Sequence, residues 1–176
     1  IYMLWTLEAA NMQWWEMLFS IILVSIPFVL LYGSVYVLLI GWHEHSKTGQ
    51  VSTRLGKVIH WMPRIAAILI ILFISMFSFD VFEMEGTLLE KIGGFLIHNI
   101  PSIALIVLLA FAWKRPVIGF VAFVAAAVAF AAFFVRDVEN LMNLVIFVFP
   151  ILLIGLLFYA DWKWLDKTPP AESLAA

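Results

Sequence analysis

The sequence contains no cysteine, and this absence excludes several kinds of chemistry. Disulfide bonds, thiolate metal sites, iron–sulfur clusters and cysteine nucleophiles all need that residue. Charged residues are also scarce at 12%, whereas soluble domains carry about 25%. With 65% hydrophobic residues, a soluble fold would expose much apolar surface at a cost of roughly 25 cal/mol per Å². The composition therefore predicts a protein that resides in lipid.

Motifs for catalysis and for nucleic-acid binding are missing as well. The sequence has no Gly-x-Ser-x-Gly, no Gly-rich phosphate loop and no His-Glu-x-x-His, each of which would carry a recognisable chemistry. It also lacks a basic face studded with aromatic residues, which nucleic-acid binding needs. These absences favour a protein that is not an enzyme, has no cofactor and does not bind nucleic acid.

Five apolar runs are long enough to cross a bilayer. A hydrocarbon core of roughly 30 Å needs about 20 helical residues at 1.5 Å each. The runs cover residues 17–42, 61–79, about 88–113, 117–135 and about 141–162. Tryptophan, which prefers the headgroup level, lies at their ends (Trp14, Trp15, Trp42, Trp61, Trp113, Trp162 and Trp164). The predicted fold class is all-α, a polytopic transmembrane helix bundle with five spans.

The domain organisation predicted from these runs has five parts. Residues 1–16 form an interfacial N-terminal segment, 17–42 an extra transmembrane span, 43–60 a cytoplasmic loop, 61–162 a four-helix membrane core, and 163–176 a flexible cytoplasmic tail. Pro27, Pro101 and Pro150 lie inside spans, where proline removes a backbone hydrogen bond and favours a kink. We interpret these kinks as shape and not as gates.

Basic residues predict the orientation, because cytoplasmic loops carry an excess of Lys and Arg. One side would hold Lys47, Arg54, Lys57, Arg64, Lys114, Arg115, Lys163 and Lys167, and the other only Lys91 and Arg136. The prediction is a multi-pass protein of the cell membrane, with its N-terminus outside and its C-terminus in the cytoplasm.

The fourth span has two contrasting faces. Ala122, Ala125, Ala129 and Ala132 share one arc of the helical wheel, and Phe120, Phe123, Phe130 and Phe134 share the opposite arc. Small residues let membrane helices approach closely. The pattern predicts that the alanine stripe faces the bundle and that the phenylalanine stripe faces lipid, unless the segregation is chance.

Polar residues gather toward the predicted outer side. Thr87 and Glu90 fit a capping box that starts a helix at Leu88. His98 and Asp80 then reach similar depths, roughly 22 and 24 Å above Trp113 and Arg64 at 1.5 Å per residue. Ionisable groups inside a membrane usually face the bundle or a wet cavity.

We therefore hypothesise an outward-facing polar pocket that binds a small ligand or a cation, or relays a proton. Its ligand-binding residues would be Asp80, His98, Asn99, Ser102, Arg136 and Asn140. The alternative is that Asp80 and His98 lie at the headgroup level, or only hold two helices together.

Histidines cluster near the first loop. His43, Glu44 and His45, with His60 further on, are ligand types that zinc or copper accepts, but a site needs three or four fixed ligands. Because these residues lie in a polar loop with Lys47 and Arg54, we expect a solvated loop and no metal.

Several apolar motifs carry a family resemblance over residues 60–162. They are Arg64-Ile65, Ile74 through Phe82, Leu96 through Pro101, Ala112-Trp113-Lys114, Ile118-Gly119, Phe149-Pro150 and Gly155 through Phe158. This stretch resembles a small family of prokaryotic four-span membrane proteins known only as a domain of unknown function. The resemblance implies a four-helix core and no particular activity.

Function is therefore predicted only coarsely. The first interpretation is a small binding or accessory module whose partners are the lipid bilayer and either further copies of itself or another membrane protein. The alternative is a small transporter or channel, built by oligomerisation, with the outer pocket as its mouth.

Overall fold

A computed structural model describes residues 13–83, 85–134 and 144–165. These residues form helices and contain no β-strand, which confirms the all-α fold class. The α-helices are α1 (Trp14–Thr48), α2 (Thr53–Met76), α3 (Leu88–His98), α4 (Ile100–Ala112), α5 (Pro116–Phe134) and α6 (Phe149–Ala160). A 3₁₀ helix (Phe77–Glu83) continues α2, and π-helical turns precede and follow α6 (Leu144–Val148 and Asp161–Leu165).

Four of the described helical segments are long and apolar enough to cross a membrane. They are Trp14–Thr48, Thr53–Glu83, Pro116–Phe133 and Leu144–Leu165. A fifth crossing is formed if α3 and α4, which meet at an angle of 48°, count as one bent span. The architecture is thus a polytopic helix bundle with four spans, or with the five that the sequence predicts.

The bend between α3 and α4 has a local cause. Thr87 and Glu90 form the predicted capping box, in which each side chain bonds the backbone N–H of the other. The helix that starts there ends at His98, and Pro101 follows in the first turn of α4. Proline lacks an N–H and its ring crowds the carbonyl four residues earlier, so the span bends where Pro101 enters.

The first loop is much shorter than the sequence predicts. The turn between α1 and α2 comprises only residues 49–52, whereas a loop over 43–60 was expected. Gly49 ends α1 with φ of 71°, a left-handed conformation that glycine adopts without strain. Glu44 then accepts hydrogen bonds from the backbone N–H and the hydroxyl of Ser52 at 2.9 and 3.2 Å. His43 and His45 are therefore helical residues.

Helix α6 is the centre of the bundle, with α1, α2 and α5 packed around it. Two glycines allow close contact between α5 and α6. A Cβ at Gly119 would lie 2.6 Å from the Phe158 ring, and one at Gly155 would lie 2.9 Å from the Val124 side chain. The two helices contact each other at both positions because those side chains are absent.

The predicted faces of α5 are reversed in the structure. Phe123 is fully buried, and Phe120 and Phe130 pack against the core, while Ala125 and Ala129 are exposed. The prediction that the alanine stripe faces the bundle is therefore wrong. The physical reason is contact area, since a buried phenylalanine ring makes far more dispersion contacts than a methyl group, and Gly119 already provides the close approach.

Candidate functional site at the basic end of the bundle

Two of the predicted site residues, Asp80 and His98, do not contact each other. Asp80 is exposed in the 3₁₀ helix, and His98 is exposed at the end of α3, where its Nδ1 lies 2.9 Å from the Gly94 carbonyl. No hydrogen bond or ion pair joins Asp80 to His98 in the part of the chain that the structure describes. Ligand binding by these two residues stays a prediction.

The remaining predicted residues have different positions. Asn99 is buried and its Nδ2 donates to the Phe95 carbonyl at 3.2 Å. Ser102 is also buried, and its hydroxyl has no hydrogen-bond partner among the described residues. Arg136 and Asn140 lie outside the described residues. His98 lines a small, mostly apolar cavity of about 150 Å³, so this end offers few convergent polar groups.

A buried ion pair lies at the opposite end of the bundle. Arg64 of α2 and Asp161, the first residue after α6, are each only 3% exposed. Arg64 Nη1 donates to Asp161 Oδ2 at 2.8 Å. Removing charged groups from water costs several kcal/mol per ion unless they are paired and hydrogen-bonded. This pair meets that condition and connects α2 to the end of α6.

Arg64 also bonds two backbone carbonyls. Its Nη1 donates to the carbonyl of His60 one turn earlier, and its Nη2 donates to the Trp113 carbonyl, at the end of α4, at 3.0 Å. Its guanidinium lies 5.5 Å from the centre of the Phe158 ring, a distance at which cation–π attraction contributes. One guanidinium thus joins α2, α4 and α6.

His60 shares the same carboxylate. Its Nδ1 lies 3.1 Å from Asp161 Oδ1, and its side chain is 46% exposed. A carboxylate at Nδ1 orients an imidazole and favours the tautomer with a proton there. His60 Nε2 is then left to accept a proton or a hydrogen bond from a ligand.

These groups line an open cleft, which we name the basic-end cleft. It has a volume of about 420 Å³ and is lined by His60, Arg64, Trp113, Lys114, Pro116, Asp161, Trp162 and Leu165. Asp161 offsets the charge of Arg64, and Lys114 has no carboxylate partner among the described residues. The cleft therefore has an excess of positive charge between two indole rings.

Charge is distributed unevenly between the two ends of the bundle. All but one of the described Lys and Arg residues lie at the end that holds the cleft, which we name the basic end. They are Lys47, Arg54, Lys57, Arg64, Lys114, Arg115 and Lys163, while Lys91 lies at the other end. Within the described residues no three His, Asp or Glu side chains lie close enough to hold a metal ion.

The basic-end cleft was not predicted from the sequence. The sequence pattern places Arg64 at a span boundary and His60 in a loop, and no motif marks Asp161. The sequence contains a signal, since Arg64 and Asp161 are opposite charges within one turn of the ends of two apolar runs. Alternating spans bring the start of the second run and the end of the fifth to the same side of the membrane.

Comparison with known proteins adds a family but no activity. Residues 52–171 match a family model described as Domain of unknown function (DUF7670). The chain belongs to this family. The DUF7670 region begins in the turn before α2 and so leaves α1 outside it. It includes His60, Arg64, Lys114 and Asp161, so the basic-end cleft lies within it. No curated protein and no solved structure matches the chain.

Proposed function

We propose that this DUF7670 protein is a multi-pass protein of the cell membrane that acts as a small binding module. Its ligand would be a small anion held in the basic-end cleft. The observation that supports this proposal is the cleft itself, where the buried Arg64–Asp161 pair forms one wall and the exposed side chains of His60 and Lys114 form another part. Four helical segments with high hydropathy support residence in the membrane.

The charges of the cleft favour an anion over a cation. Among the described residues that line the cleft, Asp161 is the one carboxylate, and both of its oxygens already have partners in Arg64 and His60. A cation would meet Lys114 and Arg64, and the part of the chain that the structure describes offers no further carboxylate in the lining to neutralise it. An anion would meet Lys114, and it would accept a hydrogen bond from His60 when that imidazole is doubly protonated.

The cleft is also suited to a ligand that arrives from water. Indole rings prefer the headgroup level, and Trp113 and Trp162 both line the cleft. The excess of Lys and Arg at this end is the pattern typical of a cytoplasmic surface. We therefore propose that the cleft opens toward the cytoplasm and that the N-terminus lies outside.

Thermal unfolding of the detergent-purified protein tests the cleft, with inorganic phosphate and succinate as probes. A ligand at about 100 times its Kd stabilises the folded state by about 2.7 kcal/mol, which raises the Tm by roughly 5–11 °C for a domain of this size. Sodium chloride at the same ionic strength is the solution control. We expect at least one probe to give a rise that saturates.

Variants localise the effect to the cleft. Lys114→Gln and His60→Gln should each weaken the probe's affinity at least fivefold, because each removes a cationic or donor group from the lining. Lys57→Gln is the matched control, since Lys57 is an exposed cation on α2 that does not line the cleft. Absence of saturation with both probes, or an equal loss in the control, would contradict the proposal. Transport of the probe across the membrane of liposomes that contain the protein would instead indicate the alternative, a transporter.

A further inference from the structure

A second binding feature follows the outer surface of α5. One cavity, of about 430 Å³, lies between the end of α4 and the start of α5 and is lined by Ala110, Phe111, Trp113, Lys114, Arg115 and Ile118. An adjoining cavity, of about 320 Å³, continues along α5 over Val117, Ile118, Val121, Ala122 and Ala125. They meet at Ile118, and we name the combined surface the α5 groove.

The two halves of the α5 groove differ in chemistry. Its start has two exposed cations, Lys114 and Arg115, and neither has a carboxylate partner among the described residues. Its continuation is almost wholly apolar, because its lining side chains are aliphatic. A ligand that matches both halves has an anionic head and a hydrocarbon tail.

The length of the groove fits one leaflet. Arg115 and Ala125 are ten residues apart, which corresponds to roughly 15 Å along a helix. Half of a hydrocarbon core is also roughly 15 Å. The cations lie beside Trp113, and the exposed indole of Trp113 belongs at the headgroup level. A lipid with its phosphate beside Arg115 would therefore place an acyl chain along Val121 and Ala125.

We propose that the α5 groove binds an anionic phospholipid of the leaflet at the basic end. Lys114 and Arg115 hold its phosphate, and the acyl chain lies over Val117, Val121 and Ala125. The groove exists because Ala122 and Ala125 are small and line it, with Ala125 exposed and Ala122 half-buried, contrary to the prediction for this stripe. The site shares Trp113 and Lys114 with the basic-end cleft but contains none of His60, Arg64 and Asp161, so it goes beyond the proposed function.

Native mass spectrometry of the purified full chain tests this site, because it counts bound lipids and reports oligomeric mass together. Phosphatidylglycerol and phosphatidylcholine with identical acyl chains are the probes. A basic residue near the headgroups contributes about a fivefold increase in affinity for anionic lipid, so two contribute roughly thirtyfold. We expect the wild type to prefer phosphatidylglycerol by about that factor.

Four variants separate the contributions. Arg115→Gln should lower the affinity for phosphatidylglycerol roughly fivefold. Lys57→Gln removes a cation at the same end but away from the groove, and it should leave this affinity unchanged. Ala125→Leu should weaken both lipids, since its larger side chain fills the acyl path while remaining exposed to lipid. His60→Gln should leave lipid binding unchanged, so failure of the cleft proposal would be distinguishable.

Three results would overturn the proposal. Equal affinity for the two lipids would mean that no headgroup is recognised. An equal loss in Arg115→Gln and Lys57→Gln would mean that the attraction is only the net charge of this end. A dimer of the wild type that Ala125→Leu dissociates without changing lipid affinity would show that a second copy occupies the groove.

Discussion

Substitution of Asp161 by asparagine should weaken the bundle far more than loss of an exposed charge. The carboxylate is 3% exposed and accepts from Arg64 at 2.8 Å. Asparagine keeps the size and one acceptor oxygen but removes the negative charge, so the buried guanidinium of Arg64 loses its counter-ion. The amide N–H₂ of asparagine would also face His60 Nδ1, which lies 3.1 Å from the present carboxylate. Two hydrogen-bond donors would then face each other.

The magnitude follows from the cost of leaving a buried charge uncompensated. Breaking one partner of a buried pair costs about 3–5 kcal/mol, which is roughly a 100- to 4,000-fold change in the folding equilibrium. We expect about 3 kcal/mol, because an unfolded chain in a lipid-like solvent still finds polar partners. Arg64 retains its bonds to the His60 and Trp113 carbonyls in the variant, which also limits the loss.

Unfolding in mixed micelles with increasing dodecyl sulfate measures this change, and the summed fluorescence of the eight tryptophans, Trp113 and Trp162 at the cleft among them, follows it. Lys57→Gln is the control and should change the free energy of unfolding by less than about 0.5 kcal/mol. Arg64→Leu, Asp161→Leu and the double variant complete a thermodynamic cycle. A double variant as destabilised as the two single variants combined would refute the coupling, as would an Asp161→Asn variant that behaves like the control.

Two further predictions concern packing and topology. Gly119→Ala should destabilise the protein by about 1–3 kcal/mol, because a Cβ there would lie 2.6 Å from the Phe158 ring. Gly93→Ala is the control and should not destabilise it, because no atom lies within 4 Å of the added Cβ. The same micelle titration measures the free energy of unfolding of both variants. A reporter fused after Gln50 should give a cytoplasmic signal and one fused after Gly86 an external signal, because the two turns lie at opposite ends of α2. A cytoplasmic signal from the fusion after Gly86 would contradict the proposed orientation.

Hydropathy predicted the helices well because a bilayer imposes a length and a polarity on every crossing. The capping box at Thr87 was likewise readable, since both of its hydrogen bonds are local. The end of α1 and the start of α2 could not be predicted from the sequence in this way. Polar residues such as His43 and Arg54 are compatible both with a loop and with a helix that extends beyond the membrane. In the structure, the Gly49 cap ends α1, and Ser52 donates two hydrogen bonds to the Glu44 carboxylate that join the end of α1 to the start of α2.

The faces of α5 and the basic-end cleft needed information from other helices. Alanine and phenylalanine are both compatible with lipid and with a core, and only the Phe158 ring opposite Gly119 decides which side of α5 is buried. Asp161 and Arg64 are 97 positions apart in the chain, and their contact depends on how α2 packs against the ends of α4 and α6. No local pattern specifies such a contact, although opposite charges at matching depths point to it.

The length of α1 has a mechanical consequence. Trp15 and Trp42 are 27 residues apart, or roughly 40 Å, which equals the thickness of a bilayer with its headgroups. The six helical residues after Trp42 and the first turns of α2 therefore extend past that thickness as a helical hairpin closed by residues 49–52. Trp164 packs against Gly41 and His45, and Leu165 packs against Gly56. We therefore expect a displacement of this hairpin to move Asp161, whose buried carboxylate lies four residues before Leu165 in the chain.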